Sequence, residues 1–166
     1  MSAPAAWTVA PEDFGSPVAA ALWRAYYTEV SDRWYQLHER RVTDPAELER
    51  GIAATSGAEF VPPRGVLLVA RYGGEPVGSA GVRLLDDSTA ELKRMFLRAD
   101  MRGQGGAAFL GEAAERQARA LGAERIVLDT RRDLVEARAL YARLGYVEST
   151  AHNDEMYAEC WYQKTL

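Results

Sequence analysis

The sequence predicts an α/β domain built on one mixed sheet of six to seven strands, with helices on both faces. Three observations predict it. Residues 66–72, 77–85 and 90–97 are short apolar segments separated by turn sequences, Gly73-Gly74 and Asp86-Asp87-Ser88, as in an antiparallel meander. A turn dense in glycine then leads into a long helical pattern over residues 104–121. A further apolar strand, residues 125–130, follows that helix. A helix between two strands of one sheet makes them parallel.

The elements follow in order. Residues 7–10 are apolar enough for a first strand, and residues 11–17 hold two prolines and a glycine and read as a loop. From Val18 the residues Leu22, Tyr26, Val30 and Trp34 recur every four positions and line one face of a helix. Asp44-Pro45 with Glu47 reads as a second helix start, running to Ala54. Residues 55–65 form a polar loop. Gly78 and Gly81 inside the third strand predict a bulge or a close backbone approach.

Ala107, Leu110, Ala114, Ala118 and Leu121 form one face of the helix after the glycine turn, and Gly122 stops it. Glu112 with Arg116 and Glu115 with Arg119 are spaced as i,i+4 pairs. Asp133 and Glu136 resemble a capping box for a helix carrying Ala137, Leu140, Tyr141 and Leu144, with Gly145 as its stop. A strand begins at Tyr146, residues 152–155 are a polar loop, and residues 156–164 read as a last strand rich in aromatics.

Composition bounds the function. A chain of 166 residues with 48% apolar and 27% charged residues fits one globular domain, residues 1–166. A net charge of −4 gives no support to nucleic-acid binding. No apolar run is long enough for a membrane span, and the first residues show neither the basic start nor the apolar core of a leader. A single cysteine, Cys160, leaves no internal disulfide and fits a reducing, cytoplasmic compartment. It reads as a small buried hydrophobe rather than a nucleophile. Two histidines far apart in sequence, His38 and His152, make no metal-ligand set.

The glycine turn carries the chemistry. It reads Arg102-Gly103-Gln104-Gly105-Gly106-Ala107 at a helix start. Unpaired N–H groups and the helix dipole favour an anion there, glycine lets it approach, and Arg102 offers a charged fork. The parts fit a phosphate or pyrophosphate site. Gly103, Gly105 and Ala108 also satisfy the dinucleotide fingerprint, with Asp129 in the place of its ribose-binding acid. However, five residues separate Leu97 from Gly103, and only 37 follow Asp129, too few for a doubly wound sheet.

The spacing Arg102, Gly105, Ala107 resembles the R/Q-x-x-G-x-G/A signature of the GNAT N-acetyltransferase superfamily. Glu91 and Met95-Phe96-Leu97 before it, then Ile126-Val127-Leu128-Asp129-Thr130, and Ala137-x-x-Leu140-Tyr141-x-x-Leu144-Gly145-Tyr146 extend the likeness from Val66 onward. The closing pattern, Tyr157-Ala158 and Trp161-Tyr162-Gln163-Lys164, is similar to compact bacterial members. The resemblance implies a sheet whose two central parallel strands splay apart to admit acetyl-coenzyme A (acetyl-CoA). It implies that the backbone of Met95, Phe96 and Leu97 pairs with the pantetheine arm. Arg102, Gly103, Gln104, Gly105, Gly106 and Ala107 would hold the pyrophosphate. One departure is Leu134, where family members often carry an asparagine that contacts the cofactor arm.

What the resemblance implies about catalysis is direct transfer of acetyl to a primary amine of a small molecule. An alkylammonium with a pKa near 10.4 must lose its proton, at about 4.6 kcal/mol at pH 7. Glu91 matches the family's base, with Glu29, Asp129 and Asp154 as lesser candidates. A backbone N–H near Phe96 would polarise the carbonyl, and Tyr141 matches the acid for the leaving thiolate. Tyr27 and Arg33, on the first helix, are expected to touch the acceptor. The acids Glu148, Asp154, Glu155 and Glu159 suit a cationic amine; Arg24 and Arg33 suit one with a carboxylate. Acetylation of a protein or peptide, and a non-catalytic acyl-CoA sensor, are the alternative readings. A monomer or a homodimer is expected.

Overall fold

The computed structural model describes residues 6–166. Its elements are β1 (Trp7–Pro11), α1 (Pro17–Glu39), α2 (Pro45–Ala54), β2 (Gly65–Tyr72), β3 (Glu75–Leu84), β4 (Thr89–Leu97), α3 (Gly106–Ala120), β5 (Arg125–Thr130), α4 (Val135–Arg143), β6 (Val147–Ser149) and β7 (Cys160–Thr165). The seven strands form one sheet in the order β1-β2-β3-β4-β5-β7-β6. Only the β4–β5 pair is parallel; the other pairs are antiparallel. Among the described residues, no helix is long and apolar enough to cross a membrane.

Local chemistry sets most of these boundaries. The Ser16 side chain accepts from the Ala19 N–H at 3.0 Å, and Pro17 occupies the first turn of α1. Asp44 caps α2 by accepting from Ala46 and Glu47. Gly73 and Gly74 both take positive φ between β2 and β3, as a two-residue hairpin requires.

The first six residues of β2, Gly65 to Ala70, are apolar and buried because both faces of the strand are covered there. Val66, Leu68 and Ala70 join the main core under α3 and α4, with Leu110, Ala114, Ile126, Leu128 and Leu140. The alternate residues Leu67 and Val69 face α1, where they meet Ala19, Phe60, Leu22 and Phe96. The period of two in a strand thus sorts one apolar run into two cores.

Both glycines expected to mark a close approach in β3 do so. A Cβ on Gly81 would lie 2.5 Å from the Phe60 ring, and one on Gly78 would lie 2.6 Å from the Phe96 carbonyl oxygen. The β3–β4 register jumps from Ser79↔Phe96 to Gly81↔Lys93. Ala80 therefore opposes both Arg94 and Met95, a bulge in which Arg94 takes a φ of 57°. A bulge of this kind bends a strand and re-aims its side chains.

Three sequence expectations are corrected. Asp133 and Glu136 form no capping box: Leu134 is the N-cap of α4, with no side-chain cap bond. The Asp133 carboxylate instead accepts from Arg131 two residues before it, and that of Glu136 accepts from Arg33 of α1, which passes close enough to recruit it. Glu115 does not pair with Arg119; it is buried and meets Lys164 Nζ of β7 at 2.5 Å. The last strand starts at Cys160, not at residue 156, since residues 156–159 turn outward first, with the Ala158 N–H donating to the Glu155 carbonyl.

Candidate active site

β4 and β5 pair over only three positions, ending at Glu91↔Val127. Beyond it β4 runs six further residues to Leu97 and β5 three further to Thr130 with no pairing between them. The β5-facing backbone of residues 92–97 therefore lacks a strand partner. A cavity of about 220 Å³ opens in this gap.

That cavity gathers most of the residues singled out from the sequence. Met95, Phe96 and Leu97 line it from β4, Arg102 and Gly103 from the loop, and Ala107 from α3; Tyr141 of α4 and Arg33 of α1 line it too. Gln104 and Gly105 lie exposed on the adjoining rim. Gly103 and Gly105 take φ of 81° and 83°, and a Cβ on either would meet no atom within 4 Å. The turn thus presents open backbone at the head of α3, which suits an anion.

Gly106 does not belong to that open face. It is buried, and a Cβ there would fall 2.2 Å from the Trp7 ring. Its smallness serves the packing of α3 on β1. Arg102 is likewise not a free fork. Its Nε donates to the Leu97 carbonyl at 2.9 Å, and its Nη2 to both carboxylate oxygens of Glu29 at 2.9 and 2.7 Å. It braces the loop against α1, which follows from Glu29 facing the cavity one turn before Arg33.

Glu91, expected as the base, lines neither this cavity nor its neighbour. Its side chain is 4% exposed and accepts from Arg83 Nε at 2.8 Å. The cross-strand register Arg83↔Glu91 puts the two on the same side of the sheet, so the carboxylate is consumed by an ion pair. Glu29 and Glu136 line the first cavity but are paired with Arg102 and Arg33, whereas Asp129, at the open end of β5, faces the gap with no ion-pair partner among the described residues. It lines both cavities, is half-buried, and one oxygen accepts from Asn153 Nδ2 at 2.8 Å. Asp154 lines neither cavity.

Tyr141 is 5% exposed, and its hydroxyl makes no hydrogen bond within the described residues. Burial, with smaller contributions from Tyr26, Asp129 and Tyr162, pushes its pKa well above that of an ordinary phenol. The group is therefore a neutral O–H donor throughout the physiological range. Its ring packs edge-on to Tyr146, with centroids 5.7 Å apart.

A second cavity of about 500 Å³ adjoins the first and shares Tyr26, Val30, Lys93, Arg94, Asp129 and Thr130 with it. Trp23 and Tyr27 of α1 and Tyr157 of the 156–159 turn form its outer walls. Tyr27, expected near the acceptor, is here, its hydroxyl packed over Gly51 of α2. Of the acids expected to draw a cation, Glu155 lines this cavity. Glu148 lies near Arg138 and Glu159 near Arg132, outside it. Arg24 is paired with Glu49 on the exposed side of α1.

Sequence reasoning placed Tyr26 in a core stripe and missed the walls supplied by Lys93, Arg94 and Tyr157. Tyr26 carried a signal that was available: it is the one hydroxyl-bearing residue in its stripe, and polar tips of core positions favour a wet side.

Residues 16–146 match the sequence model of the acetyltransferase (GNAT) family. Over 81 residues, 47% of this chain, the sequence is 41% identical to the uncharacterized N-acetyltransferase YjgM of Escherichia coli (strain K12). That match spans 48% of YjgM, about half its length. An acetyltransferase from Streptococcus agalactiae 2603 superposes with a TM-score of 0.72 at 22% identity, over 96% of this chain and 98% of its own. The PaiA N-acetyltransferase of Thermoplasma acidophilum, solved in complex with coenzyme A, gives a TM-score of 0.73 at 14% identity, over 97% and 99%. At these identities the two structures establish a common fold.

Proposed function

This chain belongs to the GNAT acetyltransferase family, and from that premise we propose that it moves an acetyl group from acetyl-CoA to the primary amine of a small molecule, both bound at once. The observation that carries the reading is the β4–β5 gap. One end opens on the glycine turn, the other on an aromatic-walled cavity, and Asp129 and Tyr141 stand between.

Acetyl-CoA supplies an activated acyl thioester. The open backbone at Gly103 and Gly105, with the first N–H groups of α3, would hold its phosphates. The unpaired edge of β4 at Met95, Phe96 and Leu97 would hold its arm, and an N–H of that edge is the donor for the acyl oxygen. Leu134 lines the same cavity and contributes only apolar surface there.

Asp129 takes the proton from the acceptor amine, directly or through one water. Tyr141 donates its hydroxyl hydrogen bond to the sulfur as charge builds there. A thiol has a pKa near 8.5 and a phenol near 10, and burial raises that of Tyr141 further. Complete proton transfer from Tyr141 is therefore uphill, so its role is to stabilise the thiolate.

Release of free thiol from acetyl-CoA across a panel of amines, amino acids and peptides tests the reading. Turnover with small amines is expected. Tight coenzyme A binding without turnover on any acceptor would favour a sensor, and turnover on peptides alone a protein acetyltransferase.

The phosphate role has its own test. Gly105→Ala places a Cβ on the open face and strains a left-handed residue by about 1–2 kcal/mol. Gly106→Ala instead collides with Trp7, an overpacking that costs about 1–3 kcal/mol. Calorimetry should show coenzyme A affinity falling about tenfold in the first variant. Melting should show the larger loss of stability in the second. Unchanged affinity in Gly105→Ala would remove the turn from the phosphate site.

A further inference from the structure

The geometry points to an acceptor that carries a carboxylate as well as the reacting amine, an amino acid with an apolar side chain, whose carboxylate is received by Arg94. This rests on the acetyl-transfer reading and goes on to name the substrate class of the acceptor cavity.

Three cations line that cavity, and two are already committed. Lys93 faces Glu59 at 3.9 Å. Arg131 is forked onto Asp133 at 2.9 and 3.0 Å and donates to the Val30 carbonyl. Arg94 has no carboxylate within ion-pair distance among the described residues. Its Nη2 donates to the Ser56 carbonyl at 2.6 Å, which uses one of the five N–H donors of a guanidinium. Burial lowers the Arg94 pKa, with Glu59 and Tyr26 opposing the shift. That direction is the mark of a charge taken from water without a counter-ion. An incoming carboxylate offsets that cost.

The group is also held in position. Its guanidinium carbon sits 4.0 Å from the centroid of the Trp23 ring and 5.0 Å from that of Phe60. Stacking fixes the plane of the fork and leaves its edge for a bidentate acceptor. The bulge at a φ of 57° turns this side chain away from the regular alternation of β4. Arg94 lines both cavities, and it is the one charged residue lining a third, smaller cavity beneath α1.

Asp129 stands across the gap. It lies two residues beyond the last β4–β5 pair on its strand, and Arg94 three beyond on the other. At about 3.3 Å per residue both flank the mouth of the cleft at similar depth. A carboxylate and a guanidinium on opposing walls, neither with an ion-pair partner among the described residues, match an ammonium and a carboxylate on one molecule. The rings of Trp23, Tyr27 and Tyr157 complete the cavity, and they suit an apolar side chain.

The test compares acceptors in pairs: phenylalanine with phenethylamine, leucine with isoamylamine, tyrosine with tyramine. Each pair differs by the carboxylate. Thiol release should give a kcat/KM at least about tenfold higher for the amino acid in one or more pairs, the range of a charge-assisted hydrogen bond. Arg94→Gln should bring that ratio to about one by raising KM for the amino acid. Arg94→Lys, which keeps the charge and loses the fork, should fall between. Melting curves establish that both variants are folded. A ratio near one in the native protein for every pair, or a ratio that Arg94→Gln leaves intact, overturns the inference and leaves amine acetylation standing. No thiol release with any acceptor removes the acetyl-transfer reading and this inference with it.

Discussion

Asp129→Asn should lower kcat/KM about 10²- to 10³-fold at pH 7, the range of a positioned general base. The substitution keeps the shape of the side chain and its place beside Asn153, and removes the negative charge together with the ability to take a proton. The loss should shrink as pH rises from 7 towards 10. An alkylamine with a pKa near 10.4 then arrives deprotonated in a growing fraction, and the base has less to do. Rate profiles of both forms against pH measure this. A loss of equal size at every pH would make Asp129 a positioning group for the acceptor.

Glu91→Gln supplies the contrasting arm. Glu91 touches neither cavity and holds Arg83 at 2.8 Å. Its substitution should cost about 1–3 kcal/mol of stability by breaking a half-buried ion pair while leaving kcat within about twofold. If Glu91→Gln abolishes turnover at an unchanged melting temperature, the assignment of the base to Asp129 is wrong.

These two carboxylates also mark where sequence stops informing structure. A residue type and its strand are local facts, and both acids are visible as strand residues. Which of them faces the gap depends on what lies on the next strand. Arg83 reaches Glu91 through a β3–β4 register that holds a bulge; Gly78 and Gly81 point to an irregularity in β3, but nothing in either strand says which residue of β4 it displaces. Arg94 is its extra residue and takes a left-handed φ without being glycine or asparagine, so no turn chemistry announces it.

Features written in short stretches were legible in full. Asp44 followed by Pro45 gave α2 its start, and Ala54 its end. Gly73-Gly74 gave the hairpin, and the helix after the glycine turn gave the parallel β4–β5 pair. Charged residues were read least well where two partners compete. Asp133 and Glu136 have the spacing of a cap, yet Arg131 and Arg33 bind them more strongly than backbone N–H groups do, because a guanidinium adds charge to the hydrogen bond. The aromatic content of residues 156–164 suggests one continuous strand, but residues 156–159 form a turn before it. Tyr157 is 56% exposed and walls the second cavity, where its ring lies outside the sheet.

Tyr141→Phe should lower kcat about 10- to 100-fold, or about 1.4–2.7 kcal/mol, with coenzyme A affinity unchanged by calorimetry. An interaction that strengthens as charge builds on the sulfur belongs to the transition state and appears in kcat. The hydroxyl has no hydrogen-bond partner among the described residues, so its removal breaks none of their bonds and the melting temperature should hold or rise slightly. Because burial holds the phenol protonated above its ordinary range, the native profile should show no falling limb from this group between about pH 7 and 10. Tyr146 provides the comparison. It is the other tyrosine of the pair, its hydroxyl is buried without a hydrogen-bond partner among the described residues, and it does not line the cavity. Tyr146→Phe should leave kcat within about twofold. Equal losses in the two variants would mean that the ring pair acts through packing, and water would then be the donor to the thiolate. A loss confined to Tyr141→Phe is what a hydroxyl aimed at the reacting sulfur requires.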